Sequence, residues 1–300
     1  MANLEISRAE RLDMRLIAME PRFTRSAASR LIDEGKVTVN GKVITKAGHK
    51  LRAGDEVIVD FDYEATLTIP HIDLPVLYED DDCIVVSKPI GVLTHSKGVF
   101  NPEATVGSWL GEHLAAEGKT ELLDLDAQVA EGSPNNPRAG IVHRLDRATS
   151  GLLICAKTPA ALTWLQKQFS QRRAKKTYYA IIEGTLDPPE ALIDRPIGRN
   201  PKAPATFRVD PNGKSARTEY YVIRSNEHYS LIELRPETGR THQLRVHLAS
   251  LGHPIVGDPV YSGKPADRMY LHAAKLELTV PSHERKVFEA PLPEAFAELI

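Results

Sequence analysis

Asp146 sits between two arginines in the segment Gly140-Ile141-Val142-His143-Arg144-Leu145-Asp146-Arg147. Thr149, Ser150 and Gly151 follow, and then an apolar run ending at Ala156. A cation beside a carboxylate favours its charged form. An ionised carboxylate at the edge of a strand can serve as nucleophile or base. The same residues would also suit a capped turn with a structural ion pair. Residue types alone leave both readings open.

Two further segments are more polar than a loop requires. Lys176-Thr177-Tyr178-Tyr179 closes a run that contains Lys167, Arg172, Arg173 and Lys175. Aromatic rings beside cations can stack on bases while the charges hold phosphates, or they can simply pack at a strand edge. The third segment runs Thr238-Gly239-Arg240-Thr241-His242-Gln243-Leu244-Arg245-Val246-His247. Thr241 is expected to cap a helix there, leaving backbone amides to face an anion. His242 and His247 are five apart, off the spacing that puts two ligands on one helix face, so no metal is expected. No glycine-rich phosphate loop of the ATP or NAD type is present, so no nucleotide cofactor is expected.

Elements must hold these segments in place. Residues 11–60 read as a compact α/β module. Leu12, Leu16 and Ile17 share one helical stripe; Thr24 caps a second helix with Ala27, Ala28, Leu31 and Ile32 as its apolar face. Gly35 ends that helix. Val37–Val39, Asn40-Gly41 and Lys42–Ile44 read as strand, tight turn and strand, and Val57–Val59 as another strand. Residues 61–76 read as a linker with a short strand at Thr66–Ile69, and a second unit, 77–300, begins near Leu77. Within it strands are expected at Ile84–Val86, Gly151–Ala156, Tyr178–Ile182, Thr218–Ile223, Ser230–Leu234 and Lys275–Val280. Helices are expected at 104–118, Ala160–Phe169 and His242–Ser250. Without strict βα alternation, this is an α+β chain with a mixed, mainly antiparallel sheet.

The chain has 300 residues, enough for two domains, with a net charge of −2. That balance excludes a protein coated in positive charge, but charge is segregated along the sequence. Residues 161–180 hold five cations and no acid, whereas residues 111–134 hold six acids and one lysine. Cys83 and Cys155 each lie in an apolar run and read as buried free thiols. With no apolar leader and no stretch long enough to span a bilayer, a cytoplasmic protein with no membrane contact is expected.

The stretch HRLDRATSGLLICAK (143–157) closely resembles the HRLDxxTSGLLLxAK motif of the RluA-type pseudouridine synthases. LRPETGRTHQLRVHLASLGHPIVGDPVY (234–261), KTYYAIIEG (176–184), the Lys88-Pro89-Ile90-Gly91 segment and LHA (271–273) resemble the other blocks of that family, in order. Residues 11–60 resemble the S4 RNA-binding domain, a layout similar to the RluC/RluD-like members that modify large-subunit ribosomal RNA. The resemblance implies an isomerase that converts uridines in RNA to pseudouridine without a cofactor, with RNA as its partner and a monomer as its default state. It implies Asp146 as the catalytic carboxylate, Arg240 as the arginine paired with it, Tyr178 as the tyrosine near the target base, and Leu271 as a pocket wall. Substrate-binding candidates are Arg144, Arg172, Arg173 and Lys176, and in the S4 module Arg22, Arg25, Arg30 and Lys42. A tRNA-directed enzyme and a non-catalytic S4-type RNA-binding factor are the competing readings. A hydrolytic glycosidase is disfavoured because only one candidate carboxylate is evident.

Overall fold

The computed structural model describes residues 10–20, 23–61, 69–95, 103–124 and 140–300. The N-terminal module contains β1 (Glu10–Arg11), α1 (Leu12–Met19), α2 (Arg25–Asp33), β2 (Val37–Val39), β3 (Lys42–Val43), β4 (Lys50–Leu51) and β5 (Val57–Val59). The expected cap forms: the Thr24 hydroxyl accepts the Ala27 N–H at 3.2 Å. Asn40 and Gly41 both take positive φ, as their two-residue hairpin turn requires. Leu12, Leu16, Leu31, Ile32, Val37 and Leu51 are buried together in one core. The pairing of β1 with β4 was not foreseen, because two-residue strands carry no periodicity.

The larger unit is built on a nine-stranded sheet. Its strands are β6 (Val76–Glu79), β7 (Cys83–Lys88), β8 (Ser150–Ala156), β9 (Lys175–Glu183), β10 (Glu190–Asp194), β13 (Arg217–Ser225), β14 (Tyr229–Pro236), β15 (Leu271–Thr279) and β16 (Arg285–Glu289). The order is β10-β13-β14-β9-β15-β8-β7-β6, with β16 also paired to β15. Every pairing is antiparallel except β15 with β8, so the expected mixed, mainly antiparallel sheet is what forms. β11 (Ile197–Arg199) and β12 (Phe207–Val209) make a separate hairpin.

Helices cover the sheet where its strands are apolar on both faces. α3 (Val106–Ala116) packs on Ile84, Val86, Leu153 and Cys155. α4 (Pro159–Ser170) packs on the alternate set Cys83, Val85, Leu152 and Ile154. This explains why β7 and β8 read as continuous apolar runs. Each helix starts at a real cap: Thr105 and Ser108 form a reciprocal capping box, and Thr158 accepts from Ala161 with Pro159 at the first turn. α5 (Gln243–Ser250) lies against β9 and β14 through Leu244 and Leu248, and α6 (Ala295–Leu299) adds Phe296. Cys83 and Cys155 are free and buried, as expected.

Four expectations are corrected or fall outside the described residues. Thr241 caps nothing: α5 begins at Gln243, and His242 before it takes a left-handed conformation, φ 57°. β15 starts at Leu271 rather than Lys275, because pairing to β9 and β8 on its two sides extends it. The strand expected at Thr66–Ile69 lies almost wholly outside the described residues, and so does Arg22. Among the described residues, no helix is long and apolar enough to cross a membrane.

Candidate active site

The loop carrying Asp146 is clamped from behind. Leu145 is buried, and its N–H donates to the Thr94 hydroxyl at 3.1 Å while that hydroxyl donates to the Leu145 carbonyl at 2.9 Å. Lys88 is fully buried and spends its ammonium on the carbonyls of Pro89, Val92 and Arg147, at 2.8, 2.9 and 3.3 Å. Burial lowers the Lys88 pKa to about 8. Gly91, with φ 85°, donates its N–H to the same Arg147 carbonyl. The Lys88-Pro89-Ile90-Gly91 segment is thus the brace of the Asp146 loop.

On the far side of that loop, Gly151 fixes where the chain enters β8. Its φ is 115°, and an added Cβ would lie 2.2 Å from the Ala273 carbonyl oxygen. Only glycine allows β15 to approach here, next to the parallel pairing of Ser150 with His272.

Asp146 faces a cleft of about 120 Å³. Its Oδ2 accepts from Nη1 of Arg245 at 3.1 Å. Arg245 is buried and held by Asp258, with Nε to Oδ2 at 2.7 Å and Nη2 to Oδ1 at 2.8 Å. Asp258 is itself fully buried and also accepts the Val260 and Tyr261 N–H groups. Burial works against the Arg245 charge, but the two carboxylates outweigh it and raise its pKa. Oδ1 of Asp146 accepts no hydrogen bond among the described residues.

His242 approaches the same oxygen. Its Nε2 is 3.8 Å from Asp146 Oδ2. The Tyr261 hydroxyl accepts the Phe207 N–H at 3.0 Å and shares a hydrogen bond with His242 Nδ1, 2.8 Å away. In the tautomer whose Nδ1 accepts the Tyr261 proton, the neutral ring carries its own proton on Nε2, facing Asp146. Burial, opposed by the Asp146 charge, lowers the His242 pKa. Tyr178 lines the cleft from β9, and Leu271 lines it from the start of β15. Burial and then the Asp146 charge push the Tyr178 hydroxyl above its ordinary pKa.

The expected pairing of Arg240 with Asp146 is corrected. Arg240 lies in the turn before α5, where its Nε donates to the Ser215 carbonyl at 3.0 Å. Arg245 lies inside the helix on the side that meets Asp146 and Asp258. Both arginines line the cleft, and chain spacing alone did not tell which one reaches the carboxylate. Arg144 lines the cleft too. Lys176 lines it but gives its ammonium to the Thr238 carbonyl at 3.2 Å, with burial lowering its pKa to about 8. Arg172 lines the adjoining groove, whereas the Arg173 carbonyl accepts from Arg285 and Arg173 lines neither space. In the S4 module Arg25 pairs with buried Asp13, Arg30 with Glu34, and Lys42 is exposed.

Sequence reasoning gave no role to Arg245, Asp258, His242, Tyr261, Lys88 or Thr94. The usable signal was a charged residue on the buried stripe of α5, since a buried charge needs a partner. One cluster elsewhere, Glu79, His113 and Glu117, brings ligand-type atoms within 4.8 Å of one another. The ammonium of buried Lys157 already bonds both carboxylates there, so the cluster supplies its own cation.

The fold and this carboxylate–guanidinium–carboxylate chain define the class. Residues 82–250 match the RNA pseudouridylate synthase family, and residues 10–57 match the S4 domain. The chain belongs to the RNA pseudouridylate synthase family, isomerases that act on RNA, and it carries an S4 RNA-binding domain ahead of the catalytic unit. It is 36% identical over 310 residues to ribosomal large subunit pseudouridine synthase D of Escherichia coli K12, covering 97% of this chain and 90% of that one. It is 37% identical to the protein of the same name from Nitrosomonas europaea, over 97% of this chain and 83% of that one. Among solved structures, human RNA pseudouridylate synthase domain containing 1 superposes with a TM-score of 0.58 at 28% identity, covering 75% of this chain and 86% of that one.

Proposed function

We propose that this enzyme converts specific uridines of large-subunit ribosomal RNA to pseudouridine, with Asp146 as the carboxylate that acts on the sugar. The observation that carries the chemistry is the asymmetry of Asp146: Oδ2 is paired to Arg245 while Oδ1 is left without a hydrogen bond among the described residues. The near-full-length likeness to relatives named for the large ribosomal subunit supports the substrate. The division into an S4 module at 11–60, a linker at 61–76 and a catalytic unit at 77–300 belongs to the same reading, as does a monomer working in the cytoplasm.

The reaction breaks the N1–C1′ bond of uridine, turns the uracil and joins C5 to C1′. One proton leaves C5 and one returns to N1, so no oxidant, reductant or nucleotide enters the balance. Asp146 Oδ1 either attacks C1′ or takes the C2′ proton to give a glycal, and both routes place the same oxygen at the sugar. Arg245 holds the carboxylate so that the other oxygen points into the cleft. Tyr178 packs against the uracil with its hydroxyl protonated, as its raised pKa dictates. Leu271 closes the apolar side. A stacked uridine must first leave its helix, at about a few kcal/mol, which phosphate contacts by Arg144 and the S4 module offset.

The test is pseudouridine mapping of total RNA from cells with and without the gene. Sites in large-subunit RNA should vanish on deletion and return with the wild type but not with Asp146→Asn. Loss of sites only in tRNA would overturn the substrate, and full rescue by Asp146→Asn would overturn the site.

A further inference from the structure

Beside the cleft lies a wider groove of about 540 Å³. The two spaces share Arg144, Lys176, Tyr178, Thr238, Gly239 and Arg240, so they are continuous. This opening offers a strand that delivers a uridine to Asp146 a way out for its next residue.

The charge of the groove matches a phosphate. Arg144 and Arg172 are exposed and make no side-chain hydrogen bond or ion pair among the described residues. Arg240 commits only Nε, to Ser215, and keeps both Nη groups for a ligand. The acid in the lining, Glu237, is already paired with Arg217 at 3.0 Å. Arginine's planar fork suits phosphate oxygens.

One wall of the groove is aromatic. The rings of His143 and Phe169 stack at 4.4 Å with an interplanar angle of 17°. His143 Nε2 accepts the Ile154 N–H at 3.1 Å, and burial, helped by Lys176, lowers its pKa to about 3. The imidazole is therefore a neutral, fixed backing for Phe169. A backed, half-buried ring at the rim of a cationic groove is a stacking platform for a base.

We propose that this groove is a second nucleotide subsite. It takes the residue next to the target uridine, with the base on the Phe169–His143 wall and the phosphate among Arg144, Arg172 and Arg240. The proposal rests on the reading of the Asp146 cleft as the place where the target uridine is received.

The test uses the full chain and a transcribed RNA fragment whose uridine the wild type converts, so its failure leaves that reaction intact. The fragment is compared with versions carrying an abasic residue on the 5′ or the 3′ side of the target. In the wild type, one of the two abasic RNAs should lose about tenfold in kcat/KM. In Phe169→Leu, which keeps the apolar volume without the ring, the same abasic residue should cost less than about twofold by that stacking argument. Independently, Arg172→Asn should flatten the salt dependence of RNA binding by about 0.7 to 0.9 in log-log slope. Asparagine tolerates the left-handed backbone of Arg172, φ 58°. An abasic penalty equal in wild type and Phe169→Leu, or no penalty on either side, would overturn the base position. An unchanged salt slope would overturn the phosphate position.

Discussion

Arg245 gives two of its three guanidinium nitrogens to Asp258 and the third to Asp146. The buried acid thus sets the orientation of Asp146 through a shared cation. Lysine keeps the charge but cannot hold both carboxylates in that fork. Arg245→Lys should fold and lose at least about tenfold in kcat, the equivalent of one lost contact of about 1.4 kcal/mol. Asp258→Asn removes one end of a buried pair and should cost about 3–5 kcal/mol of stability in chemical denaturation. A variant Arg245→Lys with wild-type turnover would show that the fork is dispensable.

Asp146→Asn is nearly isosteric and leaves the Arg245–Asp258 pair in place. It should fold, bind RNA within about threefold of the wild type, under 1 kcal/mol by the usual affinity arithmetic, and form no pseudouridine. Retained turnover would take Asp146 out of the mechanism.

His242 turns its Nε2 toward Asp146 at 3.8 Å while Tyr261 bonds its other nitrogen. Asparagine accepts the left-handed backbone of His242. His242→Asn should therefore keep the fold and lower kcat by about a hundredfold, the small end of the usual general acid–base range. Tyr261→Phe frees the tautomer and should lose less than His242→Asn. A change confined to KM would assign His242 to binding alone.

Stability should fall on mild acidification through buried His272 and half-buried His143. Burial lowers His143 to about 3 and His272 to about 4. A base with a depressed folded pKa contributes full stability above its unfolded value, near 6.5. Below that, the unfolded chain takes up the proton first, so each such group costs up to about 1.4 kcal/mol per pH unit until the folded pKa is reached. The loss should set in below about pH 6.5 and precede any contribution from Asp13, whose pKa is lowered to about 2. In His143→Gln, whose amide oxygen can still accept from Ile154, the drop in Tm between about pH 7 and pH 5 should shrink. An unchanged drop would place the sensitivity elsewhere.

Lys42 is exposed in the hairpin of the S4 module. Lys42→Ala should flatten the salt dependence of RNA binding by about 0.7 to 0.9 in log-log slope. An unchanged slope would remove Lys42 from the RNA surface.

The segments that matter were legible because their residue types are unusual where they stand. Asp146 between arginines, Tyr178 after a basic run and the Thr238–His247 block all reach one cleft. What spacing could not report was orientation. Arg240 and Arg245 differ by where α5 begins, and that start is moved by the left-handed His242 rather than set by the Thr241 hydroxyl. Nor could the sequence show that Lys88 and Thr94 bind the backbone of a loop more than fifty residues away, since a fully buried lysine is recognised only once its three carbonyl partners are in place. β10, β11 and β12 escaped because they are short and partly exposed, without clear alternation.

The parallel junction of Ser150 with His272 has a consequence for synthesis. The two residues are 122 positions apart, yet Asp146 precedes one and the cleft wall Leu271 precedes the other. A growing chain that has emitted Asp146 has no cleft until β15 arrives, and β8 meanwhile presents an unpaired apolar edge. The cleft is therefore incomplete during synthesis until β15 has emerged. A product ending before Leu271 should aggregate through that edge rather than act as a slow enzyme.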